Sequence, residues 1–262
     1  KLIIQNSIIN FNFSNNLYGL VEVDLSECKL RNFDEKIIFE NSNQLEIIKL
    51  RRLNLDSHFL KKFFRMPNFV RIKLIDLSEN NIEYIPNEIL SHNVYIKFLN
   101  LSHNYIKNYD EGNFYFSYHQ SNLILDNNRL NRYIFKYLNY GHLKLSKNNI
   151  SEFDFENLFV SDILKYLELS YNKIERLNNV KKLKYNTIYE LDLKSNCIKF
   201  IPNNFFTYFF KLTHLDLSEN QISYLDDHTF RGMVKLSHLN LSSNNLSIIS
   251  SHLFADTNSL LL

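Results

Sequence analysis

Apolar and polar positions recur along this chain as a fixed block. Two clear copies are "LTHLDLSENQISYL", residues 212–225, and "LSHLNLSSNNLSII", residues 236–249. In the first, Leu215 and Leu217 alternate with polar residues, the period-2 signal of a short strand with one buried face. An Asn follows three residues later, and apolar residues resume after it. Aligned on that Asn, the block recurs at Asn80, Asn104, Asn128, Asn148, Asn172, Asn196, Asn220 and Asn244. Three degenerate copies precede these, with Ser7, Cys28 and Leu53 in the Asn slot. Successive anchors lie 21, 25, 27, 24, 24, 20, 24, 24, 24 and 24 residues apart. Self-similarity at such a period predicts stacked repeats, none stable alone.

One short strand per repeat, always running the same way, predicts a parallel sheet with ~4.8 Å between neighbours. The anchor Asn can offer both amide and carbonyl to backbone groups of the turn after the strand, so stacked anchors predict a ladder. Leu53 cannot serve in that slot, which predicts a rearranged turn there. Ten residues past the anchors stand Leu17, Ile38, Phe63, Leu90, Phe114, Leu138, Leu158, Phe206, Phe230 and Phe254. That column predicts an apolar spine, interrupted at Lys182, where Val180 or Leu183 can substitute. The pattern LxxLxLxxNxLxxL resembles the leucine-rich repeat family, typical 24-residue subclass, over the whole chain. The resemblance implies an α/β solenoid: a right-handed horseshoe with a concave parallel sheet and mostly irregular convex loops. Residues 1–262 then form a single solenoid segment of about eleven repeats. Neither end shows a cysteine-rich cap or polar capping helix, and Leu260 begins a twelfth copy, so the segment is expected to be an internal piece of a longer protein.

Composition narrows the partners. A formal net charge of +2 gives no long-range reason to expect nucleic acid or direct membrane contact. Hydrophobic residues make up 45% of the chain, enough for a core, and no apolar run approaches the ~20 residues of a membrane span.

Candidate chemistry is sparse. His214, Asp216 and Ser218 are the residue types of a hydrolase triad, but at i, i+2 and i+4 of a strand they lie ~6.6 Å apart. A serine nucleophile needs its base within ~3 Å. The same letters recur in "VDLSEC", "IDLSEN" and "LNLSSN", which marks them as scaffold, and no enzyme activity is expected. His214 and His238 share a slot in adjacent repeats beside Asp216, a trio that can ligate a metal; an exposed recurrent His is the plainer reading, and neither metal nor cofactor is expected. Cys28 and Cys197 stand seven repeats apart and cannot bridge. N-x-S/T sequons begin at Asn12, Asn100, Asn149, Asn240 and Asn245.

The positions that vary between copies are those a strand exposes, and they predict a broad recognition surface. Lys49, Arg51 and Arg52 form a basic cluster. Tyr166, Glu168, Tyr171, Glu190, Asp192, His214, Asp216, Glu219 and His238 form an acidic, aromatic-bearing area. The tyrosines can anchor a basic partner there. The family resemblance, which extends to Toll-like and chaoptin-like receptor ectodomains, implies a protein ligand or co-receptor, possible dimerisation, and an extracellular or cell-surface setting in innate recognition or adhesion. The alternative is a cytoplasmic scaffold that assembles a protein complex.

Overall fold

The computed structural model describes residues 1–10, 19–31, 39, 42–65, 71–86, 95–109, 121–133, 140–155, 163–178 and 187–260. Two compact units divide the chain, Lys1–Arg129 and Leu130–Leu262. The described part of the first carries a parallel ladder of six strands: β1 (Leu2–Ile3), β2 (Glu22–Asp24), β3 (Ile47–Lys49), β4 (Leu74–Asp76), β5 (Phe98–Asn100) and β6 (Ser121–Ile124). That of the second carries five: β7 (Tyr140–Lys144), β8 (Tyr166–Glu168), β9 (Glu190–Asp192), β10 (His214–Asp216) and β11 (His238–Asn240).

Register is set by the central apolar residue of each strand. Val23, Ile48, Ile75, Leu99 and Leu123 pair in sequence in the first unit. Leu143, Leu167, Leu191, Leu215 and Leu239 do so in the second. Those from Val23 to Leu215 are buried, each contributing roughly 1.5–3 kcal/mol before entropy. A slip of one residue would turn every one of them to solvent. Each unit therefore has one face of the sheet sealed and one free.

The Asn anchors hold the turns. Asn172 donates through Nδ2 to the Leu145 and Leu169 carbonyls at 2.9 and 3.0 Å, and its Oδ1 accepts from the Ile150 N–H at 3.0 Å. Asn80, Asn104, Asn128, Asn196, Asn220 and Asn244 bond in the same way, and Asn148 shares the pattern through Leu145 and Leu130. Cys28 puts its thiol in the donor's place, 3.2 Å from the Ile4 carbonyl. At Leu53 the turn changes: the Leu53 and Leu55 N–H groups both donate to Asn80 Oδ1, and Asn54 joins Arg52 in the left-handed region.

The residue just before each of the eleven anchors is left-handed, with φ between 50° and 63°, and none is glycine. That conformation costs an ordinary residue ~1 kcal/mol or more. It turns the side chain at this position, among them Glu27, Glu79, Tyr171 and Glu219, out beside the free face.

Opposite the sheets lie the aromatic residues. In the first unit the helix α1 (Ser57–Phe63) starts at Asp56, whose carboxylate caps the Phe59 N–H at 2.9 Å. It buries Leu60 and Phe63, and Phe63 meets Phe39 edge-on at 5.2 Å. In the second unit Phe206, Phe230 and Phe254 follow one another at 5.9 and 6.2 Å. Phe205 and Phe209 join them, an enlargement of the spine drawn from the same repeat. Leu17, Ile38, Leu90, Phe114, Leu138, Leu158, Val180, Lys182 and Leu183 lie outside the described residues.

Candidate functional site

Alternation along each strand of the second unit leaves two rows of side chains on the free face. Parallel register lines them up as His142, Tyr166, Glu190, His214 and His238, and as Lys144, Glu168, Asp192, Asp216 and Asn240. From Tyr166 and Glu168 onward these rows line an open depression of about 640 Å³, which Leu241, Phe254 and Leu260 also border. The turns add Tyr171 and Glu219, so all nine residues of the acidic, aromatic area belong to this unit.

Charges on this face are unequally satisfied. Glu168 accepts from His142 Nε2 at 2.8 Å and pairs with Lys144 at 2.9 Å. Burial works against its charge, but the hydrogen bonds from His142 and Lys144 outweigh it and hold the carboxyl below the usual carboxylate range. Glu219 accepts from the Ser195 hydroxyl and pairs with Lys194 at 3.1 Å; both contacts lower its carboxyl. Among the described residues no lysine, arginine or histidine pairs with Glu190, Asp192 or Asp216. Asp192 shows the consequence. Burial, reinforced by the charges of Asp216 and Glu168, pushes its carboxyl above the ordinary value despite hydrogen bonds from the Lys194 N–H and Ser170. Uncompensated carboxylates side by side are a demand for cations that the protein itself does not meet.

Aromatic rings border these acids. Tyr166 leans on His142 with ring centroids 5.3 Å apart. Lys147 and Lys194 lie 5.8 and 5.9 Å from the Tyr171 ring centroid. His214 and His238 stack face to face at 4.2 Å and 6°. His142, Lys144 and Lys194 were absent from the residues singled out by sequence, and Asn240 was named there only as a sequon, not as part of the face. Reading the two exposed columns one repeat further in each direction finds His142, Lys144 and Asn240.

The triad residues do not meet as a triad. Ser218 donates its hydroxyl to Asp216 at 2.6 Å, and His214 Nδ1 faces the Thr213 hydroxyl at 2.9 Å. Asp216 Oδ1 also accepts from the Ser218 N–H, as Asp24, Asp76, Asn100, Asp192 and Asn240 do from the N–H two residues on. The sequons at Asn100 and Asn240 thus arise where the scaffold uses Asp or Asn as a turn former. Asn149 and Asn245 are exposed just past their anchors, and Asn12 lies outside the described residues. Among the described residues no cluster of three or more His, Cys, Asp or Glu can hold a metal, and no helix is long and apolar enough to cross a membrane.

The basic cluster of the first unit is an ion-pair network. Lys49 pairs with Glu22 at 3.4 Å and Asp24 at 3.9 Å. Arg51 and Arg52 sit between Glu27, at 3.5 and 3.6 Å, and Glu79, with which both form close ion pairs. Sequence columns listing cations alone hid the partners, since Glu27 and Glu79 occupy the left-handed positions.

Residues 186–246 and 210–262 match the leucine-rich repeat family model. No curated protein matches the chain closely. Solved structures share the fold. In the TLR13–ssRNA13 complex the match has a TM-score of 0.75 at 23% identity, covering 97% of this chain and 40% of that protein. A Leptospira interrogans leucine-rich repeat protein gives 0.69 at 21%, covering 92% and 65%. Toll in the Drosophila Toll–Spatzle complex gives 0.79 at 25%, covering 93% and 32%. The chain thus spans from about a third to just under two thirds of these proteins. With parallel strands in repeat register, an Asn ladder and that family signature at residues 186–262, the chain is a leucine-rich repeat solenoid that resembles Toll-like receptors in fold.

Proposed function

We propose that this chain is a recognition module whose free sheet face in the second unit binds a protein partner through cationic side chains of that partner. The observation that carries the reading is the group Glu190, Asp192 and Asp216, adjacent in register and lacking any basic partner among the described residues. A lysine or arginine laid across the rows meets carboxylates at strand spacing, ~4.8 Å, with Tyr166 to pack against its alkyl stem. Structural relatives support partner binding as the task, one in complex with Spatzle and another with RNA. An uncompensated acidic face repels phosphates, which favours a protein partner here. The setting we infer is extracellular or cell-surface, as a segment of a receptor or secreted recognition protein.

The test is a variant that removes charge and keeps shape: Glu190→Gln, Asp192→Asn and Asp216→Asn together. Asn already fills the Asp192 and Asp216 slot at Asn240 and still forms the turn. Titration with a short oligolysine peptide at low salt should show binding to the parent and at least a tenfold loss in the variant, ~1.4 kcal/mol. Equal affinity for both proteins would retire the site. A second reading, an intracellular scaffold, draws on the two sequons that the turn itself explains. Glycan occupancy at Asn149 or Asn245 in native material, measured by mass spectrometry, decides between the settings.

A further inference from the structure

His214 and His238 are placed by a repeated polar detail. Thr213 donates its hydroxyl to the Tyr189 carbonyl at 3.0 Å, and its oxygen lies 2.9 Å from His214 Nδ1. One repeat on, Ser237 donates to the Thr213 carbonyl at 3.1 Å and lies 2.9 Å from His238 Nδ1. A hydroxyl has one proton, and in both cases a carbonyl takes it. The oxygen can then only accept from the ring, so Nδ1 carries the hydrogen in each neutral imidazole. The lone pair is left at Nε2. Because the rings are parallel and 4.2 Å apart, the two Nε2 atoms present themselves side by side.

Groups facing the pair from the neighbouring elements are acidic or neutral. β9 contributes Glu190, directly in register with His214, and Asp192; β10 contributes Asp216. β8 adds Tyr166, and β11 adds Asn240, whose amide donates to Asp216 at 3.2 Å. No lysine or arginine stands in either row of β8, β9, β10 or β11. At neutral pH the row Glu190, His214, His238 therefore offers acceptors alone, matched to a partner's N–H donors. Imidazole is the side chain that gains charge between pH 8 and 5. A proton arriving at Nε2 converts each ring from acceptor to cationic donor, with Glu190 in the same row and Asp216 in the neighbouring one. The same event removes two acceptors and cancels the negative charge that draws the partner.

We infer that His214 and His238 form a proton-operated release device for a cationic partner: binding at neutral pH and release on mild acidification. This rests on the acidic-face reading proposed above, and the experiment separates the two. Oligolysine binding to the full chain is measured at pH 7.5, 6.5 and 5.5 at constant ionic strength, for the parent and for the double variant His214→Gln/His238→Gln. Gln retains a neutral acceptor and cannot be protonated. The parent should lose at least about tenfold in affinity from pH 7.5 to 5.5. The double variant should lose less than about threefold. Nitrogen-15 NMR of the two imidazoles should show Nδ1–H at pH 7.5. A parent whose affinity is equal at all three pH values, or a double variant that falls as steeply as the parent, overturns the device and leaves the acidic face standing. Absence of binding to the parent at pH 7.5 overturns the acidic face itself.

Discussion

The two units share a scaffold and differ in what they do with charge. Both stack short parallel strands on a buried apolar column, and both lock each turn with an Asn. In the first unit the rows of the free face mix Ile47, Leu74 and Phe98 with Asp24, Lys49 and Asp76, and the acids Glu22, Asp24, Glu27 and Glu79 all meet Lys1, Lys49, Arg51 or Arg52. In the second, apolar side chains leave the rows and three carboxylates go unanswered. Like charges held together without compensation weaken a fold or do nothing for it, so their presence points outward, to something that binds.

If scaffold and face are separable, the largest effects should be equal in the two units. Asn104→Leu and Asn172→Leu each remove a buried side chain that bonds four backbone groups. Each should cost about 3 kcal/mol in urea unfolding, and neither should alter the chemistry of the free face. Unequal losses would mean that the turns, and not the charges, distinguish the units.

A smaller effect should fall on one side alone. Arg51→Ala with Arg52→Ala strands Glu27 and Glu79; since both arginines are about half exposed, the expected loss is about 1 kcal/mol. The triple neutral variant of the second unit should lose no stability. Acid titration gives the comparison a sign. Glu79, which Arg51 and Arg52 pull below the ordinary range against the cost of its burial, stabilises the fold above the ordinary carboxylate value. That contribution disappears as pH falls through its lowered folded value. Asp192 runs the other way, since a raised carboxyl is a penalty at neutral pH that protonation relieves. Asp192→Asn should therefore raise Tm at pH 7 and have no effect near pH 3, while Glu79→Gln should lower Tm at pH 7 and converge on the parent in acid. The smallest change concerns the left-handed positions shared by both units. His103→Gly and Ser243→Gly, at φ 54° in each, should gain a few tenths of a kcal/mol, strain relief less the added freedom of the unfolded chain.

Much of this was legible in the sequence because a repeat states each rule many times over. Leu215 and Leu217 could be read as strand because their counterparts recur, and Phe206, Phe230 and Phe254 as a spine for the same reason. What escaped depends on relations between repeats. Arg51 looked free until Glu27 and Glu79 were seen on either side of it, each a whole repeat away. The left-handed residue before each anchor gave no sign because none is glycine; the geometry of the turn, repeated and locked by Asn, overrides local preference. The stacking of His214 on His238 follows from register, but the direction of their protons depends on Thr213 and Ser237, which no column of exposed residues includes.

The most direct measurement is carbodiimide labelling of carboxylates, read by mass spectrometry at neutral pH with and without oligolysine. Protection should concentrate on Glu190, Asp192 and Asp216, while Glu27 and Glu79 keep their labelling rates. Equal protection of the acids in both units, or no change at Glu190, Asp192 and Asp216 while peptide is bound, would contradict the assignment of binding to the second unit's face.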